Sequence, residues 1–230
     1  MNNIFLNSTT LGVVISLLAY YLGVFLKNKT KKAFVNPLLI SIVLVIVFLL
    51  VFEIDYESYN QSAKYLSYLL TPATVSLAIP LYQQLELLKK NVTAILLGIS
   101  AGVLTSLLSV LAMSIVFGLN HEEYVTLLPK SITSAIGMGL SEELGGYATI
   151  TIAVIIVTGI FGNMIAEFAC KLFRIKHPIS KGLAIGTSSH AMGTTKALEL
   201  GEIEGAMSSL SIVVAGLMTV VLASFFAMMY

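Results

Sequence analysis

The chain has 230 residues, of which 57% are hydrophobic and 11% are charged, and its formal net charge is +1. Soluble domains carry roughly 25% charged residues, so this composition argues against an ordinary soluble domain and favours an integral membrane protein. The near-zero charge excludes a strongly basic nucleic-acid-binding protein. The single cysteine, Cys170, excludes a disulfide framework and a cysteine-based metal site. We therefore expect one all-α polytopic membrane domain in contact with lipid, with no cofactor.

Apolar runs separated by charged loops predict the membrane helices. The first two runs cover residues 10–26 and 37–52, the second being long enough to span with little to spare, and an acidic loop follows. The third run, 63–88, contains Pro72 and Pro80, so we expect it to be kinked or broken. Further spans are predicted at 92–117, 148–173 and 206–229. The N-terminus has no basic stretch and no small-residue cleavage site, so we expect no cleavable signal peptide.

Two polar, glycine-rich stretches, 127–146 and 182–201, interrupt this apolar pattern. Hydroxyl and ionisable groups are costly at membrane depth unless they line a polar pathway. We interpret both stretches as broken or re-entrant helices, and the alternative at both is a full crossing by a broken helix. Across the chain, the predicted break points are the turn-forming residues Pro72, Pro80, Pro129, Gly137, Gly139, Gly186 and Gly193.

Lysines and arginines collect after the first run (Lys31 and Lys32 among them), after the third run and after Phe173. The positive-inside rule places these loops in the cytoplasm and the N-terminus outside. Residues 127–146 then enter from outside and return there, and residues 182–201 enter from the cytoplasm and return.

A weak internal repeat has a period of 57 residues. The segment PATVSLAI begins at Pro72 and PKSITSAI begins at Pro129; the same offset relates Gly102 to Gly159 and Ser131 to Ser188. The repeat units are approximately 72–117, 129–173 and 186–230, and successive units cross in opposite directions. Such inverted repeats with interrupted helices point to a transporter binding site, and chance recurrence of Gly, Pro and Ser is the alternative.

Hydroxyl groups in these stretches are the first candidates for substrate binding. Together with the positively polarised N-termini of half-helices, they suit a small carboxylate anion. The alternative is that each hydroxyl bonds back to a carbonyl of its own helix. The candidates are Ser131, Thr133, Ser134, Thr187, Ser188, Ser189, Thr194 and Thr195.

Three further residues complete the substrate-binding set. His190 suits proton coupling or gating, with a hydrogen-bonded packing role as the alternative. Lys196 either attracts an anion or extends to the interface, and the same choice applies to Lys130, which stays outside the set. Asn163 either lines the pathway or makes an interhelical hydrogen bond.

An enzyme is not expected. The chain contains no HExxH, no GxSxG and no cluster of histidine and cysteine, so it offers neither a metal site nor a nucleophile with its base. Ser189 and His190 are sequence neighbours, and neighbours on a helix point apart.

The segments TLLPKSITSAIGMGLSEELGG and KGLAIGTSSHAMGTTKALELGEIEGAMSSL, with the earlier AIPLY, resemble the LrgB/CidB family. The resemblance covers residues 36–230, which we treat as an LrgB-like transmembrane domain. Residues 1–35 then form an N-terminal transmembrane helix and a basic loop.

The resemblance implies a multi-pass protein of the bacterial plasma membrane, holin-like or antiholin-like, with a smaller LrgA/CidA-type partner. In bacteria the family is tied to control of murein hydrolases, autolysis and pyruvate uptake, and its plant relatives are plastidial glycolate/glycerate transporters. We therefore expect a homo-oligomeric secondary transporter of small monocarboxylates. The alternative is an antiholin-like regulator that acts by oligomerising with its partner.

Overall fold

The computed structural model describes residues 10–30 and 35–230; Lys31, Lys32 and the N-terminal residues before Thr10 lie outside the described residues. All regular structure in the described part of the chain is helical, which confirms the predicted all-α class. Four of its helices are long and apolar enough to cross a membrane, as expected for a multi-pass membrane protein: Leu11–Thr30, Val92–Phe117, Ala148–Leu172 and Glu202–Ala227.

The chain forms two compact units, residues 1–76 and 77–230. The helices of the first unit are α1 (Leu11–Thr30), α2 (Pro37–Val51), α3 (Tyr56–Ala63), a 3-10 helix (Lys64–Leu69) and α4 (Leu70–Ser76). Asn36 caps α2, because its side chain accepts hydrogen bonds from the backbone N–H groups of Leu38 and Leu39. At 15 residues α2 is about 22 Å long, so this run is shorter than the span predicted for it.

The second unit contains the remaining helices. They are α5 (Ala78–Gln83), α6 (Leu85–Lys90), α7 (Val92–Phe117), α8 (His121–Leu127), α9 (Ser134–Glu143), α10 (Ala148–Leu172), α11 (Pro178–Leu200) and α12 (Glu202–Ala227). Gly118 ends α7 in the left-handed conformation, with φ of 63°, and a capping box of Asn120 and Glu123 begins α8.

The run predicted at 63–88 is divided into short helices. The divisions fall at Leu77 and Gln84, whereas Pro72 and Pro80 lie in the first turns of α4 and α5. Proline is tolerated in a first turn because its missing N–H has no partner there.

Helix α7 supplies much of the core of the second unit. A stripe of its side chains at helical spacing is buried, and α7 packs against α11 and α12. The stripe consists of Ile95, Ile99, Val103, Leu107 and Val110. Apolar residues on its other faces, such as Leu97 and Val116, are exposed, as expected for a surface in contact with lipid.

Gly98 and Gly102 of α7 lie against α11. A Cβ atom added at Gly98 would lie 3.1 Å from Leu183 Cδ1, and one at Gly102 would lie 2.7 Å from Thr187 Oγ1. The GxxxG spacing therefore lets these two helices approach closely.

Candidate functional site

Helix α11 is interrupted at His190, where φ is 42° and ψ is −139°. The segments on either side, 178–189 and 191–200, fold against each other. A Cβ atom added at Gly193 would lie 3.0 Å from the carbonyl oxygen of Ile185, although eight residues of continuous helix would separate them by about 12 Å. Lys181 in the first segment and Leu200 at the end of the second line the same cavity, because the two segments lie side by side. The chain therefore turns back on itself at His190.

The imidazole of His190 is held by α10. Its Nε2 donates a hydrogen bond of 3.0 Å to the carbonyl oxygen of Ile155, which can only accept. Gly159 makes room for the ring, because a Cβ atom there would lie 2.7 Å from both ring Cε1 and Nε2. These contacts match the hydrogen-bonded packing role that was the alternative for His190.

The glycines predicted as break points are not where the helices break. Gly137 and Gly139 lie inside α9, and Gly186 and Gly193 lie inside the two segments of α11. Three of the four instead allow close packing. At Gly186, for example, an added Cβ would lie 2.5 Å from the carbonyl oxygen of Ser208 on α12. The exception is Gly139, which has open space around it.

A second reversal of the chain connects α8 and α9. Pro129 lies in the turn between them, and a Cβ atom added at Gly137 would lie 3.5 Å from Pro129 Cβ. At the open end of this hairpin, Thr126 Oγ1 accepts a hydrogen bond of 2.8 Å from the N–H of Tyr147. Thr151 of α10 then joins both sides, with hydrogen bonds to Thr126 O and Ser141 Oγ. Lys130 and Ser131 therefore lie in the turn of this hairpin.

A cavity of about 520 Å³ brings these two reversals together. Its polar lining comes from Lys130 in the first turn, from Ser188 and Ser189 at the end of the first segment of α11, and from Thr158 of α10, while apolar residues of α10 form much of its wall. We call it the Ser188 cavity. Gly162 of α10 lies directly against the Ser189 hydroxyl.

Lys130 is the cation of this cavity. Its Nζ donates hydrogen bonds to Ser131 Oγ at 3.0 Å and Ser106 Oγ at 3.2 Å, and the two hydroxyls lie 3.1 Å apart. Within residues 10–30 and 35–230, no carboxylate forms an ion pair with Lys130. The amine therefore carries a charge whose protein partners are all neutral.

The hydroxyls of Ser188 and Ser189 lie 3.0 Å apart, and Ser188 also donates a hydrogen bond of 3.2 Å to the carbonyl oxygen of Ile185. Both side chains line the Ser188 cavity at the end of the first segment of α11. The cavity thus combines one cationic amine with a pair of hydroxyls, a set of groups suited to a carboxylate or another small anion.

Residues 16–229 match the model of the LrgB-like family. The chain belongs to the LrgB-like family. It is 40% identical over 216 residues to the antiholin-like protein LrgB of Bacillus cereus (strain B4264), with 94% of each chain covered. The same values relate it to the antiholin-like protein LrgB of Bacillus cereus (strain AH187) and of Bacillus anthracis (strain A0248). No solved structure matches the chain.

The family match confirms the resemblance seen in the sequence motifs and extends it. It begins at residue 16, inside α1, whereas the motifs indicated a resemblance from residue 36. An apolar lipid-facing helix carries few distinctive residues, which explains why the motifs missed this part. The family is not one of known enzymes.

Several predicted binding residues of the LrgB-like chain form internal hydrogen bonds away from the Ser188 cavity. Thr187 donates to the carbonyl oxygen of Leu183, and Thr194 donates to that of His190 and lies 2.7 Å from Ser208 Oγ. Asn163 donates to Met192 O and to Thr195 Oγ1. Thr195 donates to Met192 O. These contacts match the alternatives given above, a bond back to the residue's own helix for the three threonines and an interhelical hydrogen bond for Asn163.

Apart from Ser188 and Ser189, the remaining predicted residues are also absent from the cavity lining: Ser131, Thr133, Ser134, His190 and Lys196. Thr133 and Ser134 begin α9, and Lys196 forms ion pairs with Glu199 at 3.2 Å and Glu167 at 3.5 Å. Lys130, outside the predicted set, lines the cavity instead. Its position directly after Pro129 is the sequence signal that would have identified it.

Proposed function

We propose that this LrgB-like protein is a secondary transporter of small monocarboxylates, such as pyruvate or glycolate, in a bacterial plasma membrane. The observation that carries the proposal is the Ser188 cavity, whose lining includes Ser188, Ser189 and Lys130, an amine with no carboxylate partner among the described residues. Its volume of about 520 Å³ is that of a small-molecule site.

The lining explains a preference for a small carboxylate. A charged amine that is partly buried among neutral groups is costly, and a bound anion offsets this cost through a charge-assisted hydrogen bond. Ser106 and Ser131 hold the amine in place, while Ser188 and Ser189 offer O–H donors. Apolar residues such as Phe161 and Ile165 suit a short carbon chain and disfavour a second charge.

We also propose that the two reversals are re-entrant hairpins of inverted repeats. Reciprocal contacts support this interpretation. Gly159 of α10 packs against His190, in the turn of the second hairpin, while Gly216 of α12 packs against Ile136 near the turn of the first. The two glycines are related by the 57-residue offset of the sequence repeat. Movement of one hairpin and its span against the other would alternate access to the cavity.

Uptake of labelled pyruvate into proteoliposomes tests the transport proposal. Lys130→Met should raise the KM by roughly 10- to 100-fold, because a hydrogen bond to a charged group contributes about 1.5–3 kcal/mol. Lys130→Arg should retain part of the uptake. Ser188→Ala and His190→Ala should also lower the rate of pyruvate uptake. The matched control Lys89→Met changes an exposed lysine outside the cavity and should leave the rate unchanged. Absence of saturable uptake for every small carboxylate would reject the proposal.

The antiholin-like relatives favour a second candidate function. As an antiholin-like protein, which is what the name of the relatives says, the chain would act as the resemblance implies, by oligomerising with itself and with an LrgA/CidA-type partner to regulate murein hydrolases and autolysis. Leakage of a large trapped dye from liposomes would favour this function. Selective pyruvate uptake without dye leakage would favour the transporter.

A further inference from the structure

A second cavity, of about 360 Å³, lies at the basic end of α10. Four cationic side chains line it, and Glu167 is the one carboxylate of its lining. The cations are Lys171, Arg174, Lys176 and Lys181. We call it the Arg174 cavity.

The carboxylates near the Arg174 cavity are already engaged. Glu167 pairs with Lys171 at 2.9 Å, and also with Lys196, while Lys181 lies 3.6 Å from Glu204. In the described ranges, Arg174 and Lys176 form no ion pair. The cavity therefore keeps an excess of positive charge.

The Arg174 cavity adjoins the Ser188 cavity. Cys170 and Ile175 line both of them, so an anion that enters the Arg174 cavity meets the wall of the Ser188 cavity. The Ser188 cavity offers a further cation, Lys130, in addition to the serine hydroxyls. Positive charge thus continues from the basic end of α10 to the polar groups of the Ser188 cavity.

We propose that the Arg174 cavity is a vestibule that collects small anions and delivers them past Cys170 to the Ser188 cavity. The role in delivery rests on the proposed transport function, whereas the collection of anions does not. A recess lined by one sign of charge raises the local concentration of the opposite ion, and salt screens the effect. The vestibule accordingly determines the rate at which the anion arrives, while Lys130 determines how tightly it is held.

Cys170 is the single cysteine of the chain and lines both cavities, and it is otherwise buried, with 6% of its surface exposed, so reagent reaches its thiol only through these cavities. Two methanethiosulfonate reagents of opposite charge, sulfonatoethyl and trimethylammonioethyl, would be compared in neutral phosphatidylcholine vesicles. With each, the thiolate attacks the sulfenyl sulfur, forms a mixed disulfide and releases methanesulfinate. Relative to a small thiol in solution, the anionic reagent should be favoured by about tenfold, and high salt should reduce this preference.

The variant Arg174→Gln/Lys176→Gln should remove most of the preference, whereas the matched control Lys89→Gln/Lys90→Gln should keep it. Each preference is the ratio of two reaction rates measured on the same protein. A lower yield of folded protein therefore does not change it. No reaction at Cys170, equal relative rates, or a preference unchanged in the Arg174 variant would overturn the proposal. Loss of the preference when anionic lipid is added would also overturn it, since a lipid headgroup would then occupy the cavity.

Pyruvate uptake by the same variants separates this proposal from the transport function. If both hold, Arg174→Gln/Lys176→Gln lowers kcat/KM and leaves kcat unchanged. An anionic preference at Cys170 in a protein that takes up no carboxylate would contradict transport while supporting the collection of anions. Uptake without any preference at Cys170 would contradict the vestibule alone.

Discussion

At the residue scale, glycines make room for the side chains that shape the site. Gly159 faces the imidazole of His190, and Gly162 faces the hydroxyl of Ser189. Both glycines lie on α10, so this helix presents bare backbone to the turn of the second hairpin. The conformation with positive φ belongs to His190 itself, where a side-chain hydrogen bond to Ile155 accompanies it.

Substitution of Gly159 tests this close packing. Gly159→Ala should destabilise the protein by about 1–3 kcal/mol, because the new methyl group displaces the His190 ring and Met192. Gly139→Ala is the matched control, since Gly139 is also helical but a Cβ there meets nothing within 4 Å. Thermal unfolding in detergent measures both. Equal stability of the two variants would contradict the assigned contact.

Tyr147, just before α10, provides a pH-dependent contact outside the membrane spans. Its hydroxyl donates a hydrogen bond to the Glu122 carboxylate, which raises the pKa of Tyr147 above its ordinary value of 10.0. A raised pKa in the folded state gives stability that is present below the unfolded pKa and is lost as the pH rises through the folded pKa. The contribution of this contact should therefore disappear at pH values above 10.

The difference in Tm between the wild type and Tyr147→Phe measures this contribution. It should be largest near neutral pH and should shrink as the pH is raised from about 9 to about 12. Tyr68→Phe, at an exposed tyrosine of the first unit, is the matched tyrosine-to-phenylalanine control. Titration of other groups affects wild type and variant alike and cancels.

At the scale of the element, α11 combines two features that oppose each other in a membrane protein. It has 23 residues, enough to cross a bilayer, yet it is not among the four apolar candidate spans and it turns back at His190. The backbone at His190 is non-helical, and α11 packs against α10 and α12. Non-helical backbone is tolerated at membrane depth when protein or a polar cavity encloses it.

Replacing His190 by glycine and by alanine separates backbone strain from the side-chain contact. Both changes remove the hydrogen bond to Ile155, but only glycine adopts a φ of 42° with a ψ of −139° without strain. His190→Ala should therefore be less stable than His190→Gly by about 1–3 kcal/mol. Thermal or denaturant unfolding compares them. A glycine variant less stable than the alanine variant would show that the chain does not need this conformation.

At the scale of the whole molecule, the proposed inverted repeats predict which loops share one side of the membrane. If residues 178–200 form a re-entrant hairpin, the loop before α11 and the start of α12 lie on the same side. If they form a full crossing, these two places lie on opposite sides. Glu143, at the end of α9, should face the other side in the hairpin interpretation.

Single cysteines in a Cys170→Ser background decide between these topologies. Lys176→Cys and Glu202→Cys, both at exposed positions, should react from the same side with a membrane-impermeant maleimide, and Glu143→Cys should react from the opposite side. The orientation of the reconstituted protein is calibrated with Lys89→Cys, which the basic-loop rule places with Lys176. Labelling of Lys176→Cys and Glu202→Cys from opposite sides would reject the hairpin.

Much of the site's location was predictable from residue type, and much of its composition was not. Ser188, Ser189 and Ser131 stand out as hydroxyls in a membrane chain, because their cost there requires a reason. The pairing of Asn163 with Thr195 and of Thr194 with Ser208 depends on helices far apart in sequence, which no local pattern specifies. The same two roles were open to Lys196 and Lys130 in the sequence, yet among the described residues only Lys196 forms ion pairs with carboxylates.

The sequence by itself determined the membrane class, the family and the two stretches where polar groups interrupt apolar helices. Composition and hydrophobic run length suffice for the membrane class and for the two polar stretches, because the bilayer imposes the same solvent on every span, and the motifs within those stretches indicate the family. The tertiary structure alone decided that His190 is the point of reversal and that Lys130 meets Ser188 and Ser189 in one cavity. Those features depend on which helices pack side by side, and packing is set by contacts between residues distant in the chain.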